Sequence, residues 1–349
     1  MKSCIPIGSI KDRMDTRYKI SPQIKCYDAI GESFTPYLMR KDNPNKEFAS
    51  VTTNKYGFRN TLDHYGNIID FDKVFAEKEN DFGLVLGSSA VFGTGASNDA
   101  KSIPSQLSEI TKLPWLNFGG RAYNSTQELI NLTLHLRAKP KDIVVFSGVN
   151  NLTLAYLCRQ TSEIYNSFFG ESEIRKAINS KRYSDKVGFR WMIAQIARVL
   201  LVKFRLTYSS NDAEVRKNIS EDYSKILACF ERDLFSLKAI ADGHGSSLTF
   251  FMQPLATWLD KTLSLEEQQL FQYLDDLNPS FKVLSEFLGN WKKKYLYDIK
   301  GICAKVGVPF FNLNSSMFES SDWLFVDRVH LSDEGYKRSA RFIAQSLGL

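Results

Sequence analysis

The chain has little of what builds a metal site, a disulfide framework or a membrane span. Its 349 residues include five cysteines, Cys4, Cys26, Cys158, Cys229 and Cys303, which are scattered, odd in number and without CxxC spacing. That usage excludes a disulfide scaffold and a cysteine-built zinc site, and fits a reducing compartment. Only four histidines occur, and no His/Asp/Glu cluster has metal-ligand spacing, so no metal and no other cofactor is expected. No low-complexity tract or internal repeat is visible. The first twelve residues lack the continuous apolar core of a signal peptide, so the expected location is the cytoplasm. With 43% hydrophobic, 13% aromatic and 24% charged residues and ten prolines, the composition excludes a largely disordered molecule.

Net charge is +6, but it is concentrated. Between Arg175 and Arg205 nine Lys or Arg face one acid, Asp185, so that stretch alone carries +8 and the remainder is slightly acidic. This argues against specific nucleic-acid binding and for one local basic surface.

Short apolar runs without alternation recur at Phe82 to Leu86, Trp115 to Phe118, Ile143 to Phe146, Leu248 to Met252 and Pro309 to Leu313. Each reads as a strand buried on both faces. Helical patterns lie between them, at about 103–111, 125–138, 219–242, 265–276, 281–305 and 333–347. In the third, Tyr223, Ile226, Leu227, Phe230, Leu234, Leu237 and Ile240 repeat at three- and four-residue spacing, with Gly243 as the expected C-cap. Ser264 and Glu267 form a capping-box signature for the fourth. The alternation predicts an α/β fold, a flavodoxin-like doubly wound parallel sheet of about five strands. Two regions stand outside it. Residues 1–78, which include Asn54-Lys-Tyr-Gly57-Phe-Arg59, read as an N-terminal extension packed on the 79–349 domain, and residues 155–215 read as a helical basic insertion.

Ligands in such sheets bind beyond the carboxyl ends of the strands, and the loops there carry chemistry. Leu86-Gly87-Ser88-Ser89-Ala90 can expose a serine hydroxyl and aim a backbone N–H at one point, or simply cradle an anion. Asn117-Phe118-Gly119-Gly120-Arg121-Ala122-Tyr123 offers the Gly119 N–H to a ligand, or is only a turn that needs glycine. Ser147-Gly148-Val149-Asn150-Asn151 can supply an amide donor to an oxyanion, or an Asn that caps a turn. Near the end, Asp327-Arg-Val-His330 spaces a carboxylate to polarise a general base.

Together these four segments resemble the SGNH or GDSL hydrolase superfamily, across about residues 80–349. The resemblance implies Ser89 as nucleophile, Asp327 and His330 as the rest of a triad, and Ser89, Gly119 and Asn150 as oxyanion donors. Three residues depart from the pattern: Ser88 stands for the usual Asp, Ala122 for a frequent Gly and Asn151 for the Asp of Gly-x-Asn-Asp. None removes an atom that does chemistry. The implied mechanism is acyl transfer through a covalent acyl-enzyme. Residues 119–128 and 54–59 resemble members associated with bacterial surface polysaccharides, which implies a carbohydrate O-acyl ester, chiefly acetyl, or another small acyl ester as partner. O-acetyl transfer, a lipid esterase or thioesterase, and a catalytically silent binding module stay open.

His64 and His244, beside turn residues, read as solvated, and His135 as a packing residue in an apolar helix. In the insertion, residues 189–206 bring Arg190, Arg198 and Arg205 within about 80 degrees on a helical wheel. Burial against the core, an oligomer contact, and a lid or peripheral membrane contact through residues 175–206 are the competing readings. The oligomeric state is left open.

Overall fold

Apolar runs that do not alternate need cover on both faces, and in a computed structural model of the chain the five runs form the middle layer of three. The structure describes residues 17–77, 81–158, 164–171, 174, 212–315 and 318–349, with side chains described from 222 onward in the segment that starts at 212. The N-terminal part contains α1 (Ile24–Ala29), the two-residue strands β1 (Glu32–Ser33) and β2 (Lys41–Asp42), and α2 (Phe71–Ala76). Next come β3 (Gly83–Gly87), α3 (Ser89–Phe92), α4 (Ile103–Thr111), β4 (Trp115–Gly119), α5 (Ser125–His135), β5 (Asp142–Ser147) and α6 (Val149–Cys158). The last part contains α7 (Asp212–His244), β6 (Ser247–Met252), α8 (Leu265–Leu277), α9 (Ser280–Val306), β7 (Phe310–Asn312) and α10 (Asp333–Leu347).

Strands β3 to β7 form one parallel sheet in the order β4-β3-β5-β6-β7. Counted as successive strands this is 2-1-3-4-5, the flavodoxin-like doubly wound order. Its switch point lies between β3 and β5, so the segments that follow those strands flank the crevice where such folds bind ligands. The two faces have separate cores. Leu84, Leu86, Val145, Phe250 and Met252 pack against α6, α7 and α9, while Val85, Val144, Phe146 and Phe251 pack against α3, α4, α8 and α10.

Element ends differ from the sequence pattern for local reasons. Helix α5 stops at His135 rather than 138, because Leu136 turns extended (φ −71°, ψ 120°) and packs against the core. Helix α7 runs through Gly243 and ends at Gly245 (φ +70°), where Gly245 N–H donates to Asp242 O and Ser246 N–H to Ala241 O. The C-cap is therefore Gly245, not Gly243, since the chain must turn left-handed there. Asn150 lies in the first turn of α6, a helix the apolar periodicity had not marked.

Residues 17–77 contribute aromatic and ionic contacts to the sheet domain. Phe58 stacks on Phe118 with centroids 4.9 Å apart, and Arg59 Nε pairs with Asp99 Oδ1 at 2.7 Å. The basic run from Arg175 to Arg205 and the 189–206 pattern lie outside the described residues. Among the described residues, no helix is long and apolar enough to cross a membrane and no group of three or more His, Cys, Asp or Glu could hold a metal ion.

Candidate active site

Strand β3 ends at Gly87, Ser88 breaks the extended path, and Ser89 opens α3 at the carboxyl edge of the sheet. The His330 ring reaches it from the other side of the crevice. His330 Nε2 is 2.8 Å from Ser89 Oγ, and His330 Nδ1 is 2.7 Å from Asp327 Oδ2. Residues 241 positions apart in the chain are thus in hydrogen-bond contact.

The loop that carries the Asp and His is tied locally. Asp327 Oδ1 accepts from the backbone N–H of Val329 and of His330, each at 2.8 Å, and Val326 N–H donates to His330 O at 2.9 Å. Burial pushes the Asp327 carboxyl up, but the His330 ring, its hydrogen bond and the two backbone N–H groups outweigh that and hold it well below the usual carboxylate range. An ionised Asp327 only accepts, so the His330 proton belongs on Nδ1 and the Nε2 lone pair faces the Ser89 hydroxyl.

A second tier of contacts fixes this loop to α8. Glu267 Oε1 accepts from the N–H groups of Leu324 and Phe325, each at 3.0 Å, and its other oxygen accepts from Ser264 N–H and Lys261 Nζ. Arg328 makes a bidentate pair with Asp275 at 2.6 and 2.7 Å and lies over the Phe271 ring. In the turn that follows β6, Ala256 N–H donates to Arg328 O at 3.1 Å.

Of the three expected oxyanion donors, two have the required freedom and one does not. Ser89 N–H, at the start of α3, has no helical acceptor, as at any first helical turn. Asn150 Nδ2 donates to Tyr123 O at 2.8 Å, which orients the amide and leaves its second hydrogen for a ligand. Gly119 N–H donates instead to Asn117 Oδ1 at 2.9 Å. Gly119 is needed for close packing, because a Cβ there would lie 2.2 Å from Phe92 N. The expectation of a Gly119 donor is therefore corrected. Ala122, in the same turn and at φ +59°, has no backbone hydrogen bond from its N–H among the described residues.

Asn151 fastens the start of α5, its Oδ1 accepting from Ser125 N–H and its Nδ2 donating to Ser125 Oγ, both at 2.9 Å. An amide does here what a carboxylate could do only in part. Beneath the Asn150 turn, Ser147 Oγ donates to Glu128 Oε1 at 2.5 Å, and burial pushes the Glu128 carboxyl up to about 8.

The remaining histidines lie elsewhere. His135 Nδ1 is 2.9 Å from Asn131 O, its Nε2 is 2.9 Å from Lys41 Nζ, and its ring meets Phe58 edge-on. Because Asn131 O can only accept, the ring proton sits on Nδ1 and Nε2 accepts from Lys41 Nζ. His64 and His244 are half-buried rather than solvated, since His64 leans on Tyr65 and the His244 Nδ1 is shielded from solvent. Glu267, Asp275 and Arg328 had no functional signal in the sequence. The capping box of α8 was visible, but that its Glu also holds the histidine loop depends on contacts 57 and 58 residues apart.

No family model matches the chain, and no curated protein does. Several solved structures are similar in chain path. One, from Bacteroides fragilis NCTC 9343 and provisionally described as an acylhydrolase, is 12% identical, with TM-score 0.39 over 78% of this chain and 88% of its own. A second, from Desulfitobacterium hafniense DCB-2 and provisionally described as a lipolytic protein of the G-D-S-L family, is 12% identical, with TM-score 0.38 over 76% and 99%. A third, an acetyl xylan esterase, is 11% identical, with TM-score 0.38 over 76% and 98%.

Proposed function

We propose that the chain is a serine esterase that hydrolyses O-acyl esters through a Ser89-His330-Asp327 triad. The observation that supports this reading most is the His330 ring spanning 2.8 Å to Ser89 Oγ and 2.7 Å to Asp327 Oδ2, with its tautomer set by an ionised carboxylate. Ser89 Oγ attacks the ester carbonyl carbon while its proton passes to His330 Nε2. Asp327 stabilises the imidazolium that results. The carbonyl oxygen becomes an oxyanion facing the Ser89 N–H and the free Asn150 amide hydrogen, with Ala122 N–H as the third donor in place of Gly119. The C–O bond to the alcohol breaks as His330 returns the proton to the leaving oxygen. Water, deprotonated by the same nitrogen, then releases the acyl group and restores Ser89.

The substrate class proposed is a carbohydrate bearing short acyl groups, chiefly acetyl. Its support is the resemblance of residues 54–59 and 119–128 to polysaccharide-associated SGNH proteins. The test compares wild type with Ser89→Ala on p-nitrophenyl acetate, then on acetylated sugars against long-chain esters. Ser89-dependent turnover with preference for acetylated sugars is the expected result, equal rates for the two proteins would remove the esterase reading, and a preference for long chains would remove the carbohydrate one.

A further inference from the structure

The Asn54-Lys-Tyr-Gly57-Phe-Arg59 segment takes no part in the chemistry above, yet it leads to the helix that starts with Ser89. Asn54 Oδ1 accepts from the N–H groups of Tyr56 at 2.9 Å and Phe58 at 3.1 Å, and Asn54 N–H donates to Phe58 O at 2.9 Å. Gly57 turns at φ +78°, and a Cβ there would lie 2.4 Å from Asp42 O, so the turn is seated tightly on β2. Two residues later the Arg59 side chain enters the interior with 0% exposure.

Every nitrogen of that guanidinium has a partner. Nη1 donates to Gly93 O at 2.6 Å, to Phe92 O at 3.3 Å and to the Tyr27 hydroxyl at 2.7 Å; Nη2 donates to Ser50 O at 2.7 Å, and Nε to Asp99 Oδ1 at 2.7 Å. The Tyr27 hydroxyl lies 2.8 Å from Gly93 O and 2.7 Å from Ala96 O, so its own hydrogen reinforces the same loop. Asp99 is held in turn by Thr52, through N–H at 3.2 Å and Oγ1 at 2.6 Å. Phe92 and Gly93 are the last residue and C-cap of α3. A single helical turn has almost no cooperative stability of its own, so the place of Ser89 depends on what fastens the other end. A planar fork can grip two successive carbonyls, a hydroxyl and a carboxylate at once, and a lysine cannot.

We infer that Arg59, delivered by the 54–59 turn, is a positioning residue that fixes α3 and thereby keeps Ser89 Oγ within reach of His330. The kinetic consequence rests on Ser89 being the nucleophile, whereas the fastening of α3 does not. A displacement of the nucleophile costs turnover far more than substrate affinity.

The test uses Arg59→Lys and Tyr27→Phe in the full chain, with p-nitrophenyl acetate kinetics, thermal unfolding and amide hydrogen exchange. The N–H groups of Gly93 and Thr94, which donate to Ser89 O, report the end of α3. Expected for Arg59→Lys is a kcat loss of roughly tenfold to a hundredfold with KM nearly unchanged, and faster exchange at residues 93 and 94 but not in β5. Tyr27→Phe, which keeps the ring and the fold, shifts both readouts the same way by less, and it decides the matter alone if Arg59→Lys does not fold. Unchanged kcat and exchange in a folded variant, or a lowered melting point with wild-type turnover, would overturn the inference. If wild type shows no Ser89-dependent turnover, the esterase reading fails, and exchange at 93 and 94 alone decides whether Arg59 fastens α3.

Discussion

Asp327 and His330 are joined twice within one turn of chain, by Asp327 Oδ2 to His330 Nδ1 at 2.7 Å and by Asp327 Oδ1 to the backbone N–H of the same histidine at 2.8 Å. One carboxylate therefore shapes the loop and sets the tautomer of the ring it carries. Asp327→Asn separates the two roles. The amide oxygen still accepts the backbone N–H groups of Val329 and His330, so the loop and the melting temperature persist. The amide nitrogen donates to Nδ1 and moves the ring proton to Nε2, where it can no longer accept from Ser89. The expected loss is ~10⁴ in kcat on p-nitrophenyl acetate. A loss below tenfold would show that Asp327 has only the structural role.

Asn150 has one amide hydrogen on Tyr123 O and, among the described residues, one free. Asn150→Ala is expected to lower kcat by ~10²–10³ with little change in KM, since in the proposed mechanism the missing donor serves only the developing oxyanion. A change confined to KM would place Asn150 in substrate binding instead.

Glu267 is buried, and its removal leaves the Leu324 and Phe325 N–H groups without their acceptor and the buried Lys261 side chain without its carboxylate, with Asp322 O as its remaining acceptor. Glu267→Ala should destabilise the protein by about 3–5 kcal/mol in denaturant unfolding, and Glu267→Gln by less, because Oε1 is kept. Equal, small effects of both substitutions would mean that the loop is held by its own turn and by Arg328.

Glu128 gives a dependence on pH with a definite sign. Burial raises its carboxyl from 4.5 to about 8, with the Ser147 hydrogen bond opposing and Asp233 adding. Between those values the folded protein retains a proton that the unfolded chain releases, so stability falls as pH rises through the window. Glu128→Gln stays neutral and lacks this slope, so the stability gap in its favour should widen with pH by up to roughly 1.4 kcal/mol per unit. Parallel stability curves for the two proteins would contradict the raised carboxyl.

The sheet was legible because its signal is local: a run such as Phe82 to Leu86, apolar on both faces, has few alternatives to a covered parallel strand. Ser89, Asn150, Asp327 and His330 were legible because each follows such a run or keeps a short fixed spacing. What decides the Gly119 donor is a bond to a side chain two residues away and a backbone packed against it from α3, neither of which residue type reveals. The same holds for the contacts of Arg59 with α3 and its C-cap and of Glu267 and Asp275 with the histidine loop, which join residues 33 to 58 apart. Their residue types are common on surfaces, and only the fold shows them turned inward.

The central claim is that Ser89 is an activated nucleophile served by His330. The most direct test treats the full chain with a fluorophosphonate and locates the adduct by peptide mass spectrometry, beside His330→Ala and Ser89→Ala. One phosphonyl group on Ser89, formed rapidly in wild type, far more slowly in His330→Ala and not at all in Ser89→Ala, is the predicted result. No adduct on wild-type Ser89, or labelling at an undiminished rate without His330, would contradict it.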